Sequence, residues 1–205
     1  MFDVNGRWAL VTGASRGIGY LAALYLAENG CNIVAHARKK ENCEKLVEEA
    51  KKLGVEAYAV EAELSDMDEV REMCKEIDAN GTPIDIVLNN AGLQIAYHND
   101  YFDTPAYDYD ISFKVNTTAP MMICYHFLPL MIERGYGRIV NTTSGIDKLL
   151  LTGEERVALG TDTDFVFGAG GIDFPDFAAG TDDLGRTVVR MDILFHCLFS
   201  KCLYS

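Results

Sequence analysis

The sequence has few cations, no long apolar run and no paired cysteine motif. Its 205 residues carry 18 lysines and arginines against 31 aspartates and glutamates, which gives a formal net charge of -13 at pH 7. Such an acidic surface repels polyanions, so we expect no nucleic acid as a partner. The N-terminus lacks a basic region followed by an apolar stretch, and the most apolar late segment, residues 193–203, is too short to span a bilayer. We therefore expect a cytoplasmic protein with no membrane partner.

The six cysteines are scattered along the chain rather than grouped. They are Cys31, Cys43, Cys74, Cys124, Cys197 and Cys202. Because none has Cys-x-x-Cys or zinc-finger spacing, we interpret them as reduced thiols that fill the core of a cytosolic protein. The four histidines also lack the spacing of metal ligands. We therefore expect no metal.

Short β-branched runs alternate with segments of helical period through the first two thirds of the chain. The strand patterns lie at residues 8–12, 32–37, 56–61, 84–89 and 138–141. The helical patterns lie at residues 17–28, 41–53, 66–78 and 111–133. This alternation predicts an α/β fold of the Rossmann type, with a doubly wound parallel sheet in three α/β/α layers. Because ligands of such sheets bind at the carboxyl ends of the strands, a site should lie just after them.

A glycine-rich turn follows the first predicted strand and leads into a helix rich in alanine and leucine. Glycines allow a sharp turn and a close approach of the backbone to a pyrophosphate, whose charge is met by the helix N-terminus. The strand before the turn and the helix after it make phosphate binding a more specific interpretation than a structural turn alone. The candidate phosphate-binding residues are Gly13, Ser15, Arg16, Gly17, Ile18 and Gly19.

The turn, Thr-Gly-x-x-x-Gly-x-Gly, resembles the fingerprint of the short-chain dehydrogenase/reductase family, classical type. Three further motifs follow in family order within residues 8–144. They are Asn-Asn-Ala-Gly at residues 89–92, Lys-Val-Asn at residues 114–116 and the segment 137–144, which ends in Ser144. The resemblance implies that Asn90, Ala91 and Gly92 flank the cofactor. It further implies that Asn116 has a structural and proton-relay role and that Ser144 binds the substrate, so these two are the candidate catalytic residues.

The residues after the second strand favour one nicotinamide cofactor over the other. Ala37 stands where an NAD-binding chain places a carboxylate for the ribose hydroxyls, and Arg38 follows it. Arg16 can supply a second guanidinium for a 2'-phosphate. We therefore expect NADP(H) to be preferred over NAD(H). After the third strand, Glu63 stands where the family usually has an aspartate that bonds the adenine.

The resemblance stops after Ser144. The family's Tyr-x-x-x-Lys pair is missing, since the only later tyrosine is Tyr204 and the only later lysines are Lys148 and Lys201. Three explanations stay open: a diverged natural end, a truncation or reading-frame change after about Ile146, or a retained fold that has lost the pair. The abruptness of the change favours the last two. We expect one dinucleotide-binding domain over residues 1–205, family-like over 1–144 and atypical over 145–205, where only 187–195 have a clear strand pattern.

Two functions follow from this mixture of matching and missing motifs. The resemblance implies an NADP(H)-dependent oxidoreductase that acts on a small carbonyl or alcohol substrate, with activity impaired by the missing pair. A phenol with a pKa near 10 needs help to exchange protons at neutral pH, and the pair supplies that help. The alternative is a non-catalytic NADP(H)-binding protein or a nonproductive truncated form. A small-molecule substrate is the implied partner, and a homo-oligomer is compatible with the family but left open by the atypical tail.

Overall fold

One parallel sheet forms the centre of the fold. The computed structural model describes residues 3–95, 103–142 and 190–193. In these residues the strands are β1 (Trp8–Val11), β2 (Asn32–Ala37), β3 (Ala57–Glu61), β4 (Ile84–Asn89), β5 (Arg138–Asn141) and β6 (Arg190–Ile193). Their order in the sheet is β3-β2-β1-β4-β5-β6, and every neighbouring pair is parallel. This topology confirms the predicted Rossmann-type sheet.

The helices connect these strands and cover the sheet. They are α1 (Gly17–Glu28), α2 (Glu44–Lys52), α3 (Met67–Ala79), α4 (Ala106–Phe113) and α5 (Ala119–Arg134). Helix α3 begins where expected, because the Asp66 side chain accepts hydrogen bonds from the backbone N–H groups of Asp68 and Glu69. No helix in the described ranges is long and apolar enough to cross a membrane.

The segment between β4 and β5 differs from the sequence prediction. We predicted one helix over residues 111–133, whereas α4 starts at Ala106 and a π-helical turn, Lys114–Thr118, separates it from α5. Pro105 precedes α4 and fits a helix start, because the fixed φ of proline suits the residue before the first turn. The π turn places Asn116, a predicted catalytic residue, in a local irregularity of the kind that often marks functional sites.

Two apolar clusters lie on the two faces of the sheet. Successive residues of a strand point to opposite faces, so Leu10 belongs to one cluster while Ala9 and Val11 belong to the other. The first cluster includes Phe127 of α5 and residues of α3, and the second includes residues of α1 and α2 such as Leu46. The sheet is therefore buried from both sides, as the three-layer prediction requires.

The four cysteines in the described residues are buried in this core, as predicted. Burial raises the pKa of Cys31 and Cys74 to about 12 and the pKa of Cys43 and Cys124 to about 11. A thiol with such a pKa holds very little thiolate at neutral pH and is a poor nucleophile. Cys197 and Cys202 lie outside the described residues.

Candidate functional site

A cleft of about 1080 Å³ opens at the carboxyl edge of the sheet. It lies where the chain order reverses between β1 and β4, the place where open α/β sheets bind ligands. Its walls are formed by the turn after β1, the ends of β2 and β3, the loop after β4 and the helical segment near residues 111–115. The predicted cofactor residues that line it are Gly13, Ser15, Arg16, Gly17, Ile18, Arg38, Glu63, Asn90, Ala91 and Gly92.

The glycine-rich turn packs so tightly that side chains are excluded from it. Gly13 has a φ of +65°, and a Cβ there would lie 2.9 Å from the Cα of Ala91. Gly19 does not line the cleft; it lies behind the turn, where a Cβ would come within 2.5 Å of the carbonyl oxygen of Gly13. Gly17, by contrast, has open space around its missing Cβ. The turn is therefore pressed against the loop after β4 on one side and exposed to the cleft on the other.

The N-terminus of α1 faces this turn without an anionic partner from the described residues. Arg16 is the N-cap residue, its side chain makes no capping hydrogen bond, and the first turn of the helix holds no acidic residue. Its first N–H groups carry the positive end of the helix dipole, and backbone amides at such an end bind phosphate well. The close glycine contacts and the uncapped helix end fit the pyrophosphate of a dinucleotide.

Thr12 ties this turn to the loop after β4. Its hydroxyl accepts hydrogen bonds from the backbone N–H groups of Asn90 (2.9 Å) and Ala91 (3.0 Å) and donates to the carbonyl of Leu88 (3.4 Å). The amide of Asn90 donates in return to the carbonyls of Thr12 (3.1 Å) and Gly13 (3.4 Å). Two walls of the cleft are thus held together by side-chain hydrogen bonds to the backbone.

Thr12→Val is expected to lower the free energy of unfolding by about 2–4 kcal/mol, because it leaves two half-buried backbone N–H groups without their acceptor. Thr12 is 2% exposed, so water cannot easily replace the hydroxyl. Urea denaturation gives the measurement, and Thr12→Ser, which keeps the hydroxyl, is the control. Equal losses in the two variants would show that packing of the methyl group contributes as much as the hydroxyl, and a negligible loss in Thr12→Val would show that the hydroxyl does not hold the two walls.

Two cationic side chains and one anionic side chain line the part of the cleft that the sequence assigns to the adenosine of the cofactor. Arg16 and Arg38 are exposed, and neither forms an ion pair with another described residue. Glu63 is held in place because one carboxylate oxygen accepts hydrogen bonds from the N–H (3.2 Å) and the hydroxyl (3.1 Å) of Ser65. The two guanidinium groups are therefore available to an anion.

Asn116 holds the loop after β4 rather than lining the cleft. Its side-chain oxygen accepts from the Leu93 N–H and its side-chain nitrogen donates to the Leu93 carbonyl, both at 2.7 Å. The same nitrogen donates to the hydroxyl of Ser112 (3.1 Å), which is buried. Two of the three hydrogen bonds of this amide position Leu93, which itself lines the cleft. The other predicted catalytic residue, Ser144, lies outside the described residues.

Sequence reasoning missed several residues of the cleft. His36 and Asn42 line it near Arg38, and Ile111 and Val115 line it from the helical side. Ile111 and Val115 are four residues apart, a spacing that places them on one helix face and was available as a signal. No group of three or more His, Cys, Asp or Glu side chains in residues 3–95 and 103–142 is arranged to hold a metal ion.

The family model of the short chain dehydrogenases matches residues 7–152, which include every motif described above from the glycine-rich turn to Ser144. The chain belongs to the short-chain dehydrogenase family. This assignment confirms the resemblance inferred from the sequence motifs and agrees with the strand order of the sheet.

Individual relatives match this short-chain dehydrogenase over about two thirds of its length. It is 39% identical over 137 residues to the 3-oxoacyl-(acyl-carrier-protein) reductase FabG of Staphylococcus epidermidis, a match that covers 66% of this chain and 55% of the reductase. The chain thus spans about half the length of the curated relatives it matches.

Solved structures of short-chain dehydrogenases resemble the fold as well. A metagenomic short-chain oxidoreductase in complex with NADP superimposes with a TM-score of 0.65 at 31% identity, over 70% of this chain and 63% of that one. A gluconate 5-dehydrogenase from Burkholderia cenocepacia in complex with NADP and tartrate gives a TM-score of 0.61 at 32% identity, over 68% and 54% of the two chains.

Proposed function

We propose that the cleft of this short-chain dehydrogenase binds NADP(H) in preference to NAD(H). The observation that carries the proposal is the pair of guanidinium groups, Arg16 and Arg38, that line the cleft beside the end of β2 and form no ion pair with another described residue. A 2'-phosphate needs such cations, and guanidinium groups bind phosphate through paired hydrogen bonds. Ala37, directly before Arg38, offers no carboxylate to the ribose hydroxyls.

The rest of the cleft fits the remainder of the cofactor. The turn from Gly13 to Gly17 and the N-terminus of α1 would hold the pyrophosphate, and Glu63 would accept a hydrogen bond from the adenine. Asn90, Ala91 and Gly92 line the wall opposite this turn. Two structural relatives carry NADP in their solved structures, which supports the same preference here.

Arg38→Asp is expected to weaken NADPH binding about 10- to 100-fold, the effect of losing one or two charge-assisted hydrogen bonds and adding a repulsive charge. NADH binding should change much less, since NADH lacks the 2'-phosphate. Titration of both reduced cofactors by fluorescence gives the two dissociation constants.

Lys39→Asp is the matched control for this experiment. It makes the same change of charge at the next residue, which is exposed but does not line the cleft. We expect this variant to keep the wild-type preference. If Arg38→Asp and Lys39→Asp weaken NADPH equally, the effect is one of overall charge and the assignment of Arg38 to the phosphate is wrong.

We further propose that the chain serves carbonyl or alcohol oxidoreduction on a small molecule. When bound, NADPH would supply a hydride to a carbonyl carbon, whose oxygen then needs a proton. In the opposite direction NADP+ would accept a hydride from the alcohol, whose hydroxyl loses its proton. Asn116 supports the site by fixing the backbone of Leu93, and Ser144 would bind the substrate oxygen. The substrate is a ketone, an aldehyde or the corresponding alcohol.

A non-catalytic NADP(H)-binding protein is the second candidate, and one observation favours it. The sequence after Ser144 contains no Tyr-x-x-x-Lys, the pair that would supply an activated phenol as proton donor. Oxidation of NADPH with a panel of ketones and aldehydes separates the two candidates. Turnover that is lost in Ser144→Ala supports the enzyme, whereas tight NADPH binding without turnover supports the binding protein.

A further inference from the structure

His36 is a buried polar residue in the wall of the cleft that none of the sequence motifs accounts for. It is the residue before the last in β2, it is 2% exposed, and it lines the cleft two positions before Arg38. A buried imidazole is costly unless both of its ring nitrogens find partners. The contacts of this ring therefore show what it does.

The ring joins two loops that come from different strands. Its Nδ1 atom lies 3.3 Å from the backbone nitrogen of Gly13 and accepts that N–H. Its Nε2 atom lies 3.1 Å from the carbonyl oxygen of Ala62, to which it donates. The backbone carbonyl of His36 also accepts the N–H of Ala14 at 2.9 Å. These partners require one tautomer, with the proton on Nε2 and a free lone pair on Nδ1.

Both contacts bear on the proposed cofactor. Gly13 is the first glycine of the phosphate-binding turn and is held in the left-handed region with a φ of +65°. Ala62 directly precedes Glu63, the carboxylate assigned to the adenine. One ring thus fixes the turn at one end of the cleft relative to the loop after β3 at another.

The surroundings of the ring favour its neutral form. Burial lowers the pKa of His36 below its usual 6.5, while the Ala62 carbonyl and the charge of Glu63 act in the opposite direction and are weaker. Glu63 lies after β3, and the turn from Thr12 to Ala14 that packs on the other ring edge carries no ionisable side chain. Protonation would put a second N–H against the Gly13 N–H, so the contact needs the neutral ring.

We propose that His36 is a positioning residue for the cofactor, and that its neutral imidazole holds the phosphate-binding turn through the Gly13 amide. The inference rests on the proposed NADP(H) function. His36 lies outside the glycine motif, and its hydrogen bond to the turn depends on pH because the bond needs the neutral ring. Acidification through the titration of the ring releases the Gly13 amide and weakens NADPH binding.

Two substitutions separate the two contacts of the ring. His36→Asn places an amide oxygen near the position of Nδ1 and keeps the acceptor for Gly13, but it is too short to reach Ala62. His36→Gln extends to the position of Nε2 and keeps the donor to Ala62, but it loses the acceptor for Gly13. Each variant retains one hydrogen bond, so a general loss of stability affects both.

The first readout needs no cofactor. We expect the Gly13 amide to exchange with solvent at about the wild-type rate in His36→Asn and about 10-fold faster in His36→Gln, the effect of one lost hydrogen bond. In the wild type, the chemical shift of this amide should follow the protonation of the ring, which occurs below its usual pKa of 6.5, and in His36→Asn it should not. Equal exchange in the two variants, or a ring with its proton on Nδ1, would overturn the proposal.

The second readout is NADPH affinity. His36→Gln should bind NADPH about 10-fold more weakly than the wild type, and His36→Asn should restore most of that loss. The phosphate of NADPH also titrates near pH 6, so only a pH dependence that His36→Asn removes belongs to the ring. If the wild type binds no NADPH while the Gly13 amide follows the ring, the proposed function fails and the hold of His36 on the turn stands. If NADPH binds equally to all three proteins, His36 does not position the cofactor.

Discussion

Gly13→Ala is expected to lower the free energy of unfolding by about 2–5 kcal/mol. About 1–2 kcal/mol comes from forcing a side chain into the left-handed backbone region, and about 1–3 kcal/mol comes from overpacking. The new Cβ would lie 2.9 Å from the Cα of Ala91, and a backbone atom cannot move aside as a flexible side chain can. Urea denaturation followed by circular dichroism measures the change.

Gly54→Ala is the matched control, because it also forces a side chain into the left-handed backbone region but causes no clash. Gly54 has a φ of +91° and no atom within 4 Å of its missing Cβ. This variant should therefore lose only about 1–2 kcal/mol of the free energy of unfolding. If Gly13→Ala costs no more than Gly54→Ala, the turn and the loop after β4 are less tightly packed than the structure shows.

Phe127→Ala is expected to lower the free energy of unfolding by about 3–5 kcal/mol, the usual cost of removing a buried aromatic ring. Phe127 is 1% exposed and belongs to the apolar cluster that α5, α3 and the sheet share. The substitution leaves a cavity in this cluster. Thermal and urea denaturation both give the measurement.

Tyr125→Ala tests the same helix at an exposed aromatic residue. Tyr125 is 71% exposed and lies two positions from Phe127 in α5. The change should stay within about 0.5 kcal/mol, as for most surface substitutions. A loss of unfolding free energy in Tyr125→Ala comparable to that in Phe127→Ala would mean that the outer face of α5 is covered. Burial in this structure would then not explain which of the two substitutions is more destabilising.

The glycine-rich turn and the strands around it could be predicted because local chemistry and the tertiary fold agree there. The bounds of α1, β2, β4 and β5 match the sequence patterns, and their residues are apolar on the faces that the two clusters bury. Helix α4 could not be predicted in this way. Ser112 is its one buried residue and Tyr107 and Phe113 are exposed, so Ile111 is the one apolar residue of α4 that packs on the first cluster, too little to mark an apolar face over the whole helix.

The residues of the site also differ in whether their roles depend on neighbours in the sequence or on distant partners. Arg38 was predicted because its role depends on its place after β2, which the strand pattern gives directly. His36 was missed because its role depends on Gly13 and Ala62, which lie 23 and 26 residues away in the sequence. The hydrogen bonding between Asn116 and Leu93 also joins residues 23 positions apart and requires the folded loop. Partners at such distances leave no spacing rule in a single sequence.

The position of β1 between β2 and β4 also sets the order in which the cleft can form. Strand β2 follows β1 closely in the chain, but the hydrogen bonds from Asn90 and Ala91 to Thr12 join residues 78 and 79 positions apart. Contacts of such separation form late, because a long loop must close before they contribute any stability. During synthesis, the glycine-rich turn therefore leaves the ribosome well before the wall that completes it. The nascent chain has no cleft until β4 has emerged and docked beside β1.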